Sequence, residues 1–171
     1  MLAIDSQIWI YYCDPNALEH DAIIKWMEPM LQAEDILLNA IIPVEIAHNL
    51  FTIKNKGKNL DANLVEESLI ALISMKNCHF LEIDQDLVVN SISLIKKWRQ
   101  VGIGGRDAII LASMDRFDVK TIITNDKNIL GLNSLHRIDP VFDPPLELEI
   151  DEIFDANAFK IKIRDSFNRE L

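Results

Sequence analysis

The sequence predicts an α/β fold in which helices flank a mostly parallel central sheet. Short apolar runs at 2–5, 36–40 and 120–124 have the composition of strands that are buried on both faces. Between them, apolar residues recur at helical spacing, as they do from Leu87 to Trp98. Because alternating strands and helices form βαβ units, this order predicts a parallel sheet.

Several helices have recognisable start signals. Asp84 can cap the helix that carries Leu87, and Pro43 suits the first turn of a helix that contains Glu45. Apolar spacing predicts another helix over 64–73, and a nearly continuous apolar face predicts one that begins near Asp107. Three glycines break the chain before this last helix: Gly102, Gly104 and Gly105.

The C-terminal part has a different pattern. Residues 146–150 and 159–163 alternate strictly between apolar and charged side chains, which predicts a β-hairpin appendage. A length of 171 residues suits one domain. We therefore predict a compact domain over 1–138 and an acidic extension over 139–171 that is not a separate domain. We hypothesise that the hairpin serves self-association or partner docking.

Composition indicates a globular protein. Apolar residues make up 49% and charged residues 26% of the chain, and no apolar run has the length of a membrane span or a basic leader before it. The two cysteines, Cys13 and Cys78, lack metal-site spacing and do not suggest a disulfide framework. We expect a protein of the reducing cytoplasm with no membrane association.

Four acids are the candidates for chemistry: Asp5, Glu45, Asp107 and Asp126. Each follows a predicted strand or lies in the first turn of a predicted helix, so the parallel sheet should gather all of them at its carboxyl edge, where α/β folds bind ligands. At an effective dielectric near 20, two charges about 4 Å apart repel by about 4 kcal/mol. A hard divalent cation, Mg²⁺ or Mn²⁺, would offset this repulsion and could catalyse phosphodiester hydrolysis.

The net charge of −10 does not exclude a nucleic-acid substrate. The extension holds nine acids and four bases, which leaves 18 acids and 13 bases in residues 1–138. Without the four candidate ligands the balance is 14 to 13, so the body is nearly neutral outside its site. Lys54, Lys56 and Arg106 are candidate contacts for the phosphates of a nucleic acid.

Four segments together resemble the motifs of the PIN-domain family: Ala-Ile-Asp5-Ser, Ile-Ile-Pro-Val-Glu45-Ile-Ala, Gly-Gly-Arg-Asp107-Ala-Ile-Ile-Leu-Ala-Ser and Ile-Ile-Thr-Asn-Asp126. The resemblance covers residues 1 to about 138 and implies a PIN-like three-layer fold. It also implies Mg²⁺- or Mn²⁺-dependent endoribonuclease activity that leaves 5′-phosphates. The acids match the family's catalytic metal ligands, and Ser6 and Thr124 match supporting hydroxyl positions.

Within that family the chain is most similar to VapC-type toxins of prokaryotes. This similarity implies an RNA substrate, a protein antitoxin as partner and a homodimer. The extension over 139–171 departs from the toxins, which commonly stop near the fifth strand, here around 135–138. The sequence does not distinguish which acid orients the attacking water.

Other functions stay open at this point. One alternative is a PIN-type nuclease of RNA processing or rRNA maturation without an antitoxin, and another is a non-catalytic PIN-like binding or scaffold module. Each acid could also simply cap a helix. An aspartyl phosphotransferase is disfavoured because Gln7 stands where its second aspartate would be. His48, three residues after Glu45, could approach the site but is more typical of a surface residue.

Overall fold

The computed structural model describes residues 1–53 and 62–143. Its elements, in chain order, are β1 (Leu2–Ile4), α1 (Ser6–Cys13), α2 (His20–Ala33), β2 (Ile36–Asn39), α3 (Ile41–His48), a π-helical turn (Asn49–Ile53), α4 (Ala62–Ile73), β3 (Cys78–Leu81), α5 (Gln85–Trp98), α6 (Gly105–Arg116), β4 (Thr121–Ile123), α7 (Lys127–Leu130) and β5 (His136–Ile138). The predicted hairpin at 146–150 and 159–163 lies outside the described residues.

The five strands form one parallel sheet in the order β3-β2-β1-β4-β5. In the centre, Leu2 of β1 is opposite Ile36 of β2, and Ala3 pairs with Ile122 of β4. The predicted α/β class with a parallel sheet flanked by helices is confirmed. Strand order reverses beside β1, since β2 and β3 lie on one side of it and β4 and β5 on the other. Such a switch point opens a crevice at the carboxyl ends of the strands.

Burial explains which strands the sequence revealed. All residues of β1 and β2 are buried, in keeping with their unbroken apolar runs. In β3, by contrast, His79 and Phe80 are exposed at the sheet edge, and the sequence pattern did not predict this strand. The buried side chains form one continuous core in which Trp9 and Met27 are fully inaccessible.

Two polar side chains, Asp84 and Asn39, fix the positions of three helices. The Asp84 carboxylate accepts a hydrogen bond from the Leu87 N–H at 2.8 Å, which confirms the predicted cap of α5. Asn39, at the end of β2, donates to the Ser113 hydroxyl of α6 at 3.0 Å, and its Oδ1 accepts from the Ile41 N–H that begins α3. Asn39 therefore ties both α3 and α6 to the carboxyl edge of the sheet.

The chain continues to pack on the body beyond β5. Asp139 and Pro140 are buried, and the indole N–H of Trp26 donates to the Asp143 carbonyl at 2.8 Å. The predicted extension thus begins with residues that contact the body, while the boundary at 138 stays a prediction. In the part of the chain that the structure describes, no helix has both the length and the apolar character to cross a bilayer.

Candidate metal centre and its cleft

A polar cleft of about 400 Å³ opens at the carboxyl edge of the sheet, beside β1 and β4. All four predicted acids line it. The lining residues are Asp5, Ser6, Gln7, Ile10, Tyr11, Glu45, Asn49, Arg106, Asp107, Asn125 and Asp126. Side chains from four separate stretches of chain therefore meet at the switch point of the sheet.

Asp5 follows β1 directly and is the most constrained of the acids. It is only 6% exposed, and its Oδ2 accepts a hydrogen bond from the Thr124 hydroxyl at 2.7 Å. The Ser6 hydroxyl approaches Oδ1 at 3.4 Å. Burial raises the pKa of the Asp5 carboxyl, the Thr124 hydrogen bond opposes this, and the charges of Asp107 and Asp126 raise the pKa further. Asp107 and Asp126 are thus each close enough for their charge to act on Asp5.

Asp107 and Asp126 each use one carboxylate oxygen to start a helix. The Gly104 N–H donates to Asp107 Oδ2 at 3.0 Å, in the first turn of α6. The Asn128 N–H donates to Asp126 Oδ1 at 2.7 Å, at the start of α7. The other oxygen of each carboxylate accepts no hydrogen bond from the described residues. Capping therefore orients both acids and still leaves each with an oxygen for a ligand.

Glu45 reaches the cleft from α3 and is held by a cation. The Nη1 atom of Arg106 lies 2.6 Å from Glu45 Oε1, and the Glu45 side chain is 8% exposed. The contact is a close ion pair, but Oε1 has no hydrogen bond of regular geometry among the described residues. Because Glu45 Oε1 is buried and, within the described chain, contacts only the Arg106 guanidinium, it is well placed to bind a cation.

The carboxylate oxygens in the cleft are the type of ligand that a hard divalent ion prefers. Four carboxylates offer the oxygen ligands that Mg²⁺ and Mn²⁺ prefer, whereas the cleft has no histidine or cysteine in its lining for zinc. The side chains are not yet in coordinating positions, because across 1–53 and 62–143 no group of three or more His, Cys, Asp or Glu could hold a metal ion. The residues fit the ion by type and location, and binding would require their carboxylates to turn towards one another.

Comparison with known proteins identifies the architecture. No protein-family model and no curated protein matches the sequence. Among solved structures, FitAcB from Neisseria gonorrhoeae superimposes with a TM-score of 0.62 at 17% identity, over 83% of this chain and 99% of that one. The chain has the fold of VapC-type PIN toxins.

Two further structures share this PIN fold. VapC20 from Mycobacterium tuberculosis, a toxin that cleaves the sarcin-ricin loop, has a TM-score of 0.59 at 10% identity and aligns over 79% of this chain and 98% of its own. A toxin–antitoxin complex from Klebsiella pneumoniae has a TM-score of 0.55 at 19% identity, over 82% and 98% of the two chains. At these identities the likeness establishes the fold.

The other predicted contacts are distributed unevenly around the PIN fold. Arg106 lines the cleft, whereas Lys54 and Lys56 lie outside the described residues. His48 is exposed and is not among the lining residues. The glycine segment before α6 makes a turn, in which Gly102 adopts a φ of +87°. If another residue replaced Gly102, its Cβ atom would lie 3.2 Å from the Asn128 side chain.

Five lining residues were not among the predicted site residues: Gln7, Ile10, Tyr11, Asn49 and Asn125. Asn49 lies four residues after Glu45, so its position on the same helical face was a usable signal. Asn125 precedes Asp126, and its amide donates to both carboxylate oxygens of Asp139 at 3.0 Å. Asp139 therefore supports the loop after β4 from within the predicted extension.

Proposed function

We propose that the chain is a metal-dependent endoribonuclease that cleaves RNA phosphodiester bonds and leaves 5′-phosphates. One observation carries the proposal: Asp5, Glu45, Asp107 and Asp126 line a single polar cleft at the switch point of the sheet. Helix capping alone would not require acids from four segments to converge. The fold shared with VapC20, a toxin that cleaves the sarcin-ricin loop, supports the same proposal.

Each group in the cleft has a distinct part in the proposed reaction. The four carboxylates would hold Mg²⁺ or Mn²⁺, which when bound supplies an activated water and polarises the phosphoryl oxygens. Thr124 and Ser6 keep the Asp5 carboxylate in place through their hydroxyls. The half-buried ring of Tyr11 offers a surface on which an RNA base can stack. One of the acids orients the attacking water.

A toxin with a protein antitoxin is the biological role that we propose for this nuclease. The shared fold with a toxin–antitoxin complex supports a protein partner. An exposed apolar groove of about 290 Å³ beside α3 and α4, with Phe51, Leu69 and Ile70 in its lining, has the character of a partner surface. A homodimer remains part of the proposal.

A non-catalytic binding module is the alternative function. It is favoured by one observation, namely that the acids of the described chain form no ready metal-binding group. In that case the cleft would bind a ligand without cleaving it.

Cleavage of several RNAs in Mg²⁺, Mn²⁺ or EDTA distinguishes these functions. We expect cleavage with either metal, none in EDTA, and a loss of at least about 100-fold in Asp107→Asn, because the amide keeps the contact with Gly104 but removes a metal ligand. Asp21→Asn, an exposed acid in the first turn of α2, is the matched control and should retain activity. Cleavage that persists in EDTA, or equal activity in the two variants, would contradict the proposal.

A further inference from the structure

The chain places a cation of its own in the acidic cleft. Arg106, in the first turn of α6, is the one basic side chain among the described residues that line the cleft. Its guanidinium contacts Glu45 at 2.6 Å, although the two residues come from helices far apart in sequence. The contact joins the two helices across the mouth of the site.

The two partners differ strongly in exposure. The Glu45 side chain is 8% exposed, whereas that of Arg106 is 71% exposed. A carboxylate withdrawn from water needs a compensating charge, while an arginine at the rim remains well hydrated without its partner. The pair therefore matters more to Glu45 than to Arg106, and Arg106 can leave at little cost once another cation neutralises Glu45.

The charge of Arg106 also acts on the other acids. Arg106 directly precedes Asp107 in the first turn of α6 and lines the same cleft as Asp5. Three of the four candidate ligands thus already share one positive charge. A divalent ion on these carboxylates would meet like charge at close range unless the guanidinium moved.

We propose that Arg106 is an internal counter-cation that competes with the divalent metal for Glu45. This inference rests on the proposed function. In the metal-free cleft, Arg106 neutralises Glu45 and holds its carboxylate away from the other acids. When the ion binds, Glu45 exchanges the guanidinium for the metal. Arg106 is then released at the rim, where its planar fork can pair with an RNA phosphate.

Calorimetric titration of the full-length protein with Mn²⁺ alone tests this competition. We expect Arg106→Gln to bind Mn²⁺ roughly 3- to 10-fold more tightly than wild type, the range of one partly exposed ion pair. Arg106→Lys keeps the charge but loses the planar guanidinium, so its Mn²⁺ affinity should lie between those of wild type and Arg106→Gln. Lys120→Gln is the matched control, because it removes a cation that also lies 2.6 Å from a carboxylate, that of Asp118, and it should bind like wild type.

A second titration separates competition from simple repulsion between charges. In a Glu45→Gln background, Arg106→Gln should no longer change the Mn²⁺ affinity, since the shared carboxylate is gone. An equal gain in both backgrounds would overturn the competition. So would an unchanged or weaker affinity in Arg106→Gln alone, and either result leaves the proposed nuclease intact. If neither wild type nor Arg106→Gln binds Mn²⁺, the proposed function fails and this inference fails with it.

Discussion

Asp5 combines burial with two acidic neighbours, and its ionised form is therefore costly in the metal-free protein. The Thr124 hydroxyl offsets only part of this cost, since the net effect of the surroundings is to raise the pKa of the carboxyl. Binding of a cation beside the ionised Asp5 carboxylate would therefore stabilise the folded protein.

Asp5→Asn should consequently stabilise the protein in chelator at neutral pH, by on the order of 1 kcal/mol. A raised folded-state pKa contributes stability that is present below the unfolded value of 3.8 and is lost as pH rises through the folded value. The advantage of the asparagine variant should thus grow with pH across the acidic range and then level off. Urea unfolding in EDTA from pH 4 to pH 7 measures it. An Asp5→Asn variant less stable than wild type at pH 7 would contradict the claim that the ionised Asp5 carboxylate destabilises the metal-free protein.

At the residue scale, the sequence was most informative where an acid follows a strand or begins a helix. Asp5 and Asp126 could be assigned to the cleft because the end of a parallel strand defines an edge. Tyr11 and the pairing of Arg106 with Glu45 could not, because they depend on how helices pack against one another. Local spacing does not record a contact between α3 and α6.

At the scale of elements, the junction of α5 and α6 shows how a cap becomes a tertiary contact. Asp84 caps α5, and both of its oxygens also accept hydrogen bonds from the Arg116 guanidinium near the end of α6, at 2.7 and 2.8 Å. These contacts lower the pKa of Asp84 to about 2, the arginine hydrogen bond being the largest cause. The helix that carries Asp107 is therefore tied to its neighbour at its far end.

Asp84→Asn should weaken this junction in a pH-dependent way. The amide oxygen can still cap α5, but the charge that pairs with Arg116 is lost. Because the folded-state pKa is depressed, the contribution of Asp84 is present above the unfolded value of 3.8 and is lost as pH falls through about 2. The wild type should unfold at a higher urea midpoint than the variant at pH 6, with the gap closing towards pH 2. Asp118→Asn, which removes another exposed ion pair, is the control. A difference in urea midpoint between wild type and Asp84→Asn that did not change with pH would contradict the role of the Asp84 charge.

Elements were predictable to the extent that burial leaves a simple pattern. The central strands have apolar runs, and α5 has both periodicity and a cap, so each was found. The edge strand β3 was not, since two of its four residues are exposed and it lacks the buried apolar run of the central strands. For the hairpin predicted at 146–150 and 159–163, the described chain provides no test.

At the scale of the whole molecule, the sheet order turns scattered acids into one site. With β1 in the centre and the order reversing beside it, residues after β1 and β4 meet Glu45 in the second turn of α3 and Asp107 in the first turn of α6. The sequence predicted this convergence from the alternation of strands and helices. It did not predict that Asn39 would anchor both of those helices, because a polar residue at the end of a buried strand has many possible partners.

The most direct test of the account is a crystal structure of the protein soaked in Mn²⁺, with anomalous diffraction to locate the ion. We predict an anomalous peak in the cleft, about 2.0 to 2.3 Å from carboxylate oxygens of both Asp5 and Asp107. A peak confined to another surface, or well-diffracting crystals in which the cleft holds no ion at saturating Mn²⁺, would contradict the claim that these acids form a metal centre.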